Sequence, residues 1–206
     1  MYVPKHFSED DLGHLHEVIR RNAFGVVTSP LDGHLMATHL PFLIDPDRGP
    51  NGTLLAHMAR ANPHWTGFDG VTEALVVFSG PHGYISPNWY ETGPAVPTWN
   101  YVAVHAYGVP VLRDDPAEAR AHLSQLAATY EAGRERPWRI DDPPADFIDG
   151  MLRGVIAFEI PIARIEGKAK LSQNRSAGDR RSVVAALRAE GETVLADAME
   201  PRNEVA

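Results

Sequence analysis

Residues 76–108 read VVFSGPHGYISPNWYETGPAVPTWNYVAVHAYG, and the two ends of this stretch differ in pattern from its middle. Ala74 to Ser79 is an apolar run of strand length. Trp99 to Leu112 alternates, with Tyr101, Ala103, His105 and Tyr107 on one face and Val102, Val104 and Ala106 on the other, the period-two mark of a half-buried strand. Between them Gly80 to Tyr90 carries two glycines and two prolines. Those residues fix unusual backbone geometry, so a shaped loop is predicted there in place of an ordinary strand.

Working outward, Ser8 is predicted to cap a helix with Glu9, Asp10 and Asp11 in its first turn and Leu12, Leu15 and Ile19 at spacings of three and four, ending near Asn22. Strands are predicted at Phe24 to Thr28 and Leu35 to Ile44 around a turn at Pro30 to Gly33, where Asp32-Gly33 is a hairpin signal. A second turn at Pro46 to Gly52 leads to a strand at Thr53 to Met58. After Asp114 the pattern becomes helical at Ala117 to Ala132, then a loop at Trp138 to Pro144 and a short helix at Ala145 to Leu152. An apolar strand at Gly154 to Ile160 precedes helices at Ser182 to Ala189 and Val194 to Met199. The reading is a mainly β chain with α (α+β), one domain over residues 1–206 with a mainly helical portion within 115–206. Many short strands favour an antiparallel barrel, closed or partly closed and decorated by helices, because closure removes exposed edges.

Composition bounds the chemistry. Cysteine is absent, which excludes disulfides, thiolate zinc sites, cysteine-ligated iron–sulfur clusters and a cysteine nucleophile. Any metal or haem needs histidine or oxygen ligands. No apolar run approaches the ~20 residues of a membrane span, and MYVPKHFSEDD holds no signal-peptide core, so a cytoplasmic location without membrane contact is expected. The formal charge of −8 gives no global field for nucleic acid, although Arg164, Lys168, Lys170, Arg175, Arg180, Arg181 and Arg188 oppose only Glu166 and Asp179 between residues 164 and 188. That segment is either a solvated basic face or an anion site. No paired-histidine zinc motif, nucleophile elbow or P-loop is present, and no metal site is expected outside haem.

Four motifs carry candidate ligands. In AHMARANPHW, Ala56 to Trp65, a strand ends near Arg60 and Asn62-Pro63 starts a turn or helix, so His57, Arg60 and Asn62 stand at a strand-to-helix junction suited to phosphate. A surface ion pair for Arg60 and a backbone-satisfied His57 are the plainer alternative. In Gly80 to Tyr90, His82, Tyr84 and Trp89 supply flat contact with polar edges, joined by Trp99. Core or interface packing is the plainer account of Trp89, Tyr90 or Trp99 taken singly, whereas the cluster as a whole points to a planar ligand. Thr98, Asn100 and His105 offer polar groups to a ligand, but alternation turns Thr98 and Asn100 away from the face of Trp99 and His105. In KLSQNRS, Lys170, Ser172, Gln173, Asn174 and Arg175 form a dense donor set ahead of a helix near Asp179, for phosphate capture or an inter-subunit contact.

Taken in order, ATHLPF (Ala37 to Phe42), AHMARANPHW, the 76–108 stretch and KLSQNRSAGDR (Lys170 to Arg180) resemble the PaiB-type family of flavin-binding transcriptional regulators over nearly the whole chain. The resemblance implies an FMN-binding flavin-type split β-barrel with peripheral helices, working as a homodimer. By likeness to pyridoxamine-phosphate-oxidase-type barrels it implies Arg60 at the flavin phosphate with His57 and Asn62 nearby. The family is associated with negative control of transcription, yet no helix-turn-helix or strong basic arm supports direct DNA contact. Three other readings stay open. One is a flavin-dependent oxidoreductase. Another is a haem b enzyme resembling piperazate synthases, which form an N–N bond, with His57 as first axial candidate ahead of His82 and His105. The last is a dimer that uses no ligand.

Overall fold

The structure is a computed structural model and describes residues 1–200. In chain order its strands and α-helices are β1 (Ser8–Glu9), α1 (Leu12–Arg21), β2 (Phe24–Leu31), β3 (His34–Pro41), β4 (Leu43–Asp45), β5 (Thr53–Ala59), β6 (Ala74–Ile85), β7 (Thr98–Gly108), β8 (Val111–Arg113), α2 (Pro116–Glu131), α3 (Ala145–Leu152), β9 (Val155–Pro161), β10 (Arg164–Lys170), α4 (Ala177–Ala189) and α5 (Thr193–Met199). The chain divides into two compact units. Among the described residues, the first holds Met1–Asn22, Phe78–His105 and residues 166–200; the second holds Ala23–Val77 and Ala106–Ile165.

In the first unit the strand neighbours run β1-β10-β7-β6. Ser8 pairs with Lys168 and Glu9 with Gly167. Gly167 has to be glycine, because a Cβ there would run into Leu15 of α1 and the backbone of Glu9. Leu15, Val18 and Ile19 turn one stripe of α1 inward. The core joins Ile85 and Leu171 to Val183, Val184 and Leu187 of α4 and Leu195, Ala196 and Met199 of α5.

In the second unit β2 lies between β3 and β6, and a separate antiparallel sheet has the order β4-β5-β9-β8. Leu31 faces His34 across a two-residue loop in which Asp32 and Gly33 have φ of 52° and 78°, the type I′ hairpin that Asp-Gly favours. β5 and β9 pair along their whole length from Thr53↔Pro161 to Ala59↔Val155. Leu54, Ala56 and Met58 are buried with Ile156, Phe158 and Ile160, and the rings of Phe68 and Phe158 lie 5.0 Å apart. Ala119 of α2, Ile140, Ile148 and Leu152 of α3, and Ala157 form a smaller apolar cluster.

Several expectations are corrected. Helix α1 is capped by Asp11, whose carboxylate accepts from His14 N at 2.6 Å; Ser8 lies in β1, where an edge partner is available in β10. β6 continues through GPHGYI to Ile85, because Gly80 allows close approach to Val102, whose Cβ would sit 3.0 Å from an added methyl. The non-strand backbone starts only at Ser86, which caps a 3-10 turn at Pro87–Trp89. The predicted strand over 35–44 is broken at Phe42, whose N–H bonds Ala23 O at 2.8 Å, and that over 99–112 is broken at Val109 and Pro110. Strand β10 was not anticipated: its charged residues mask the alternation, yet Lys168 is buried, donating to Tyr2 O at 3.1 Å with its ammonium 5.1 Å from the Tyr101 ring. Helix α4 begins at Ala177, ahead of Ser182, because Ser176 caps it.

Candidate functional site

The end of β10 builds a small polar pocket in the first unit. Ser172 takes a left-handed backbone, φ 65°, and Gln173 braces the turn: its Oε1 accepts from Leu171 N at 2.7 Å while its Nε2 donates to Ala169 O at 2.5 Å. The turn gathers Lys170, Ser172, Asn174 and Arg175 with Thr98, Asn100, Tyr90 and Val96 around a cavity of about 120 Å³. Lys170 Nζ donates to Thr98 Oγ1 and, at 2.6 Å, to Trp99 O. Burial, followed by the charge of Lys168, holds its pKa below the usual lysine value. The Arg175 guanidinium lies 4.3 Å from the centre of the Tyr90 ring.

Asn100 sits at the floor, 1% exposed. Its Nδ2 bonds Ser172 Oγ at 2.9 Å and approaches Met199 Sδ at 3.5 Å, while Oδ1 is buried without a partner. Turning the amide over lets Oδ1 accept from the Ser172 hydroxyl and aims the NH₂ as a donor. Two cations, a hydroxyl and an amide donor form the set that a phosphate monoester requires, so these residues fit the phosphate of FMN.

The second unit carries a cavity of opposite character. Leu123, Leu126, Ala127 and Tyr130 of α2, Trp138 and Ile140 of the connecting loop, and Phe147, Ile148, Met151 and Leu152 of α3 enclose about 550 Å³. Phe147 and Met151 are 58% and 59% exposed, a large apolar outlay for a surface. His57 of β5 is a polar group in this wall. Its Nδ1 lies 3.2 Å from His122 Nε2 of α2. Burial lowers the pKa of both rings, that of His122 to about 4, with the neighbouring His57 adding to the effect there. The pair is therefore neutral at pH 7. An imidazole with one nitrogen hydrogen-bonded and the other left for a pocket, set among apolar side chains, fits an axial ligand of haem.

The other residues singled out above are distributed differently. Arg60 follows β5 on the surface, with Nη2 2.7 Å from Asp114 Oδ1 and Nε donating to Arg153 O at 3.2 Å. Asn62 caps the 3-10 helix Pro63–Gly67, its Oδ1 accepting from His64 N at 3.0 Å. His64 is fully buried between Ser29 Oγ at 2.9 Å and Thr38 Oγ1 at 2.8 Å. His82 bonds Gly80 O at 2.9 Å within β6. Trp89 packs on the first unit's core, whereas Tyr84 and Trp99, 47% and 55% exposed, form an edge-to-face pair with centroids 6.4 Å apart. His105 is half-buried on β7, its pKa lowered by burial and by the terminal amine against the pull of Glu166. Thus Asn100, Lys170, Ser172 and Arg175 share one cavity, His57 lines another, and Gln173 is spent on its own turn. His122, Tyr130 and Phe147 escaped the sequence reading; the signal was the spacing of His122, Leu126 and Tyr130 by four along α2. Among the described residues no group of three or more metal-ligating side chains is assembled.

This fold, two antiparallel sheets with helices, is α+β and shared with solved flavin-type split barrels. The flavocytochrome Anf3 of Azotobacter vinelandii superimposes with a TM-score of 0.63 at 15% identity, over 82% of this chain and 72% of that one. The FAD and haem binding protein of Mycobacterium smegmatis gives 0.61 at 16% identity, over 79% and 73%. A family model described as "Putative FMN-binding domain" matches residues 1–164. The protease synthase and sporulation protein PAI 2 of Bacillus subtilis is 35% identical over 192 residues, 92% of this chain and 90% of that protein. An uncharacterised protein of Emericella nidulans is 32% identical over 223 residues, 89% of each. The chain belongs to this PaiB-type FMN-binding-domain family.

Proposed function

We propose that the chain is an FMN-binding PaiB-type flavoprotein that works as a homodimer and holds the flavin phosphate in the polar pocket of Lys170, Ser172, Asn100 and Arg175. The observation that carries this is the buried Asn100 amide, one atom of it unpartnered, beneath two cations and the Ser172 hydroxyl. FMN, when bound, supplies a ring that accepts or gives hydride. The chain's own task is to fix the phosphate. Arg60 is the other phosphate candidate, with its guanidinium engaged by Asp114. Replacing Lys170 by Met is expected to weaken FMN about tenfold to a hundredfold, one charge-assisted bond of roughly 1.5–3 kcal/mol, and to leave riboflavin unchanged. Equal losses for both ligands sink the assignment.

The exposed Tyr84–Trp99 pair favours burial against a second copy. Light scattering reads this directly, against a protomer mass of 22.6 kDa. A regulatory role through a protein partner in the cytoplasm suits a chain of net charge −8 better than direct groove reading. Among the described residues no helix is long and apolar enough to cross a membrane.

A second reading, haem b on His57, is favoured by the placement of that ring in the apolar wall between α2 and α3. Haem, when bound, supplies an iron with an open coordination position. Hemin titration should raise a Soret band near about 400 nm that His57→Ala abolishes. No band in the wild type rejects this reading and leaves the FMN assignment standing.

A further inference from the structure

We infer that the cavity between α2 and α3 is a binding site for a neutral, largely apolar molecule that carries a carbonyl oxygen, with His57 Nε2–H as the donor to that oxygen. The ring stands on β5 opposite Ala157 of β9, and its Nδ1 meets His122 Nε2 at 3.2 Å. Only one proton fits between those nitrogens, so the pair has two arrangements. In one, His57 donates and His122 carries its own proton on Nδ1. That nitrogen is buried and has no hydrogen-bond partner. A buried N–H without a partner is the costlier orphan, since under-used acceptors are the commoner exception in folded chains. In the arrangement that prevails, His122 donates and His57 carries its own proton on Nε2. Among the described residues that nitrogen makes no hydrogen bond, and it is the group the ring leaves for the cavity.

The rest of the wall specifies the kind of occupant. Tyr130 and Trp138 also bring groups that donate, a phenol O–H and an indole N–H. The carboxylate in the lining, Glu131, is already engaged: Oε2 accepts from Trp138 N at 3.1 Å, and Oε1 lies 3.2 Å from Arg134 Nε. No cation stands among the described lining residues. A carboxylate or phosphate would therefore be buried here without a counter-charge, and an ammonium would meet an acid that already has its arginine. A carbonyl oxygen on an apolar body meets both demands. It accepts from His57 without bringing a charge to desolvate, while Leu123, Leu126, Ile148 and Met151 cover its carbon chain. The α2 side of the wall, Leu123 to Tyr130, runs about 10 Å at the helical rise, which suits an elongated molecule. Haem asks the same ring for a bare lone pair, so haem and the carbonyl compound are exclusive occupants of one cavity.

The probe is methyl hexyl ketone, titrated into the whole chain beside octanoate and octylammonium, with circular dichroism as the folding control. The ketone is expected to bind at least about tenfold more tightly than either ion. His57→Phe should weaken it about twofold to tenfold, the loss of one neutral hydrogen bond, and should move the infrared carbonyl stretch of the bound ketone to higher frequency, the signature of that lost bond. If the phenylalanine variant does not fold, His57→Leu takes its place. Nitrogen NMR of the imidazoles in isotopically labelled protein reads the tautomer directly, and the proton is expected on His57 Nε2 in the ligand-free chain. A bare Nε2 there overturns the inference and leaves the haem reading standing. Octanoate or octylammonium binding as tightly as the ketone overturns it, as does a ketone whose affinity and carbonyl stretch ignore His57, or no ketone binding at all. None of these outcomes touches the FMN assignment, whose pocket lies in the other unit.

Discussion

The polar pocket of the first unit and the apolar pocket of the second differ in size, about 120 Å³ against about 550 Å³, and more deeply in what each uses to hold a ligand. Around Lys170, Ser172 and Arg175 the currency is charge and hydrogen-bond direction, so binding there should weaken as salt screens the pair of cations. Between α2 and α3 it is buried carbon surface, at roughly 25 cal/mol per Å², which salt barely touches. One histidine lies in that second wall with another neutral imidazole as its partner, so Glu131 is the one formal charge among the residues that line it. A small charged cavity selects a head group, and a large apolar one selects a body.

The harshest way to break this contrast is at the core beneath the apolar pocket's sheet. Phe158, 2% exposed and packed on Phe68, should cost about 3–5 kcal/mol when cut to Ala, read by urea unfolding. A loss below about 1 kcal/mol would mean that the wall relaxes freely and its pocket is not fixed. Next in size is Arg175→Ala, expected to lower FMN affinity about tenfold to a hundredfold at low salt, with the gap to wild type narrowing in high salt. Arg60→Ala, beside Asp114 in the other unit, should cost less in a matched calorimetric titration. The reverse ranking moves the phosphate to Arg60.

Acid sharpens the comparison further, because the second unit buries His64. Burial lowers its pKa in the folded chain, so the unfolded chain binds the proton more readily. Its contribution to stability is complete above the ordinary value of 6.5 and is lost as pH falls below it. The midpoint of urea unfolding should drop from pH 7 to pH 5.5 in wild type and drop less in His64→Gln; parallel declines would remove His64 from the cause. The smallest effect concerns the caps. Asp11→Ala in α1 and Asp115→Ala in α2 should each cost about 1 kcal/mol, whereas Ser8→Ala should stay within about 0.5 kcal/mol in thermal unfolding. A Ser8 cost equal to that of Asp11 would restore the earlier helix start.

Regular periodicity explains what was legible. The helix Ala145–Leu152 and the Asp32-Gly33 hairpin follow from local rules, and both stand where those rules put them. β10 does not, because Lys168 and Lys170 look like surface residues until a tyrosine face and a carbonyl pair are available to receive them. Glycine and proline at 80–83 look like loop until Val102 is seen to need the space. Lys170, Ser172 and Arg175 were legible because polar donors crowd together in KLSQNRS, and Asn100 because it is a polar residue within the aromatic 76–108 stretch. The cavity uniting them with β7 depends on long-range pairing that no local pattern encodes. The pairing of His122 with His57 was illegible for the same reason, the two standing 65 residues apart.

The four tryptophans fall two to a unit: Trp89 and Trp99 in the first, Trp65 and Trp138 in the second. Trp138 lines the apolar pocket and is 44% exposed, while Trp99 follows Thr98 and precedes Asn100 on the strand that borders the polar one. Intrinsic fluorescence can therefore be made local. A chain retaining Trp138 alone should lose emission by energy transfer when a porphyrin enters the second unit, and a chain retaining Trp99 alone should answer to flavin phosphate in the first, so that one protein reports two occupancies in separate optical channels.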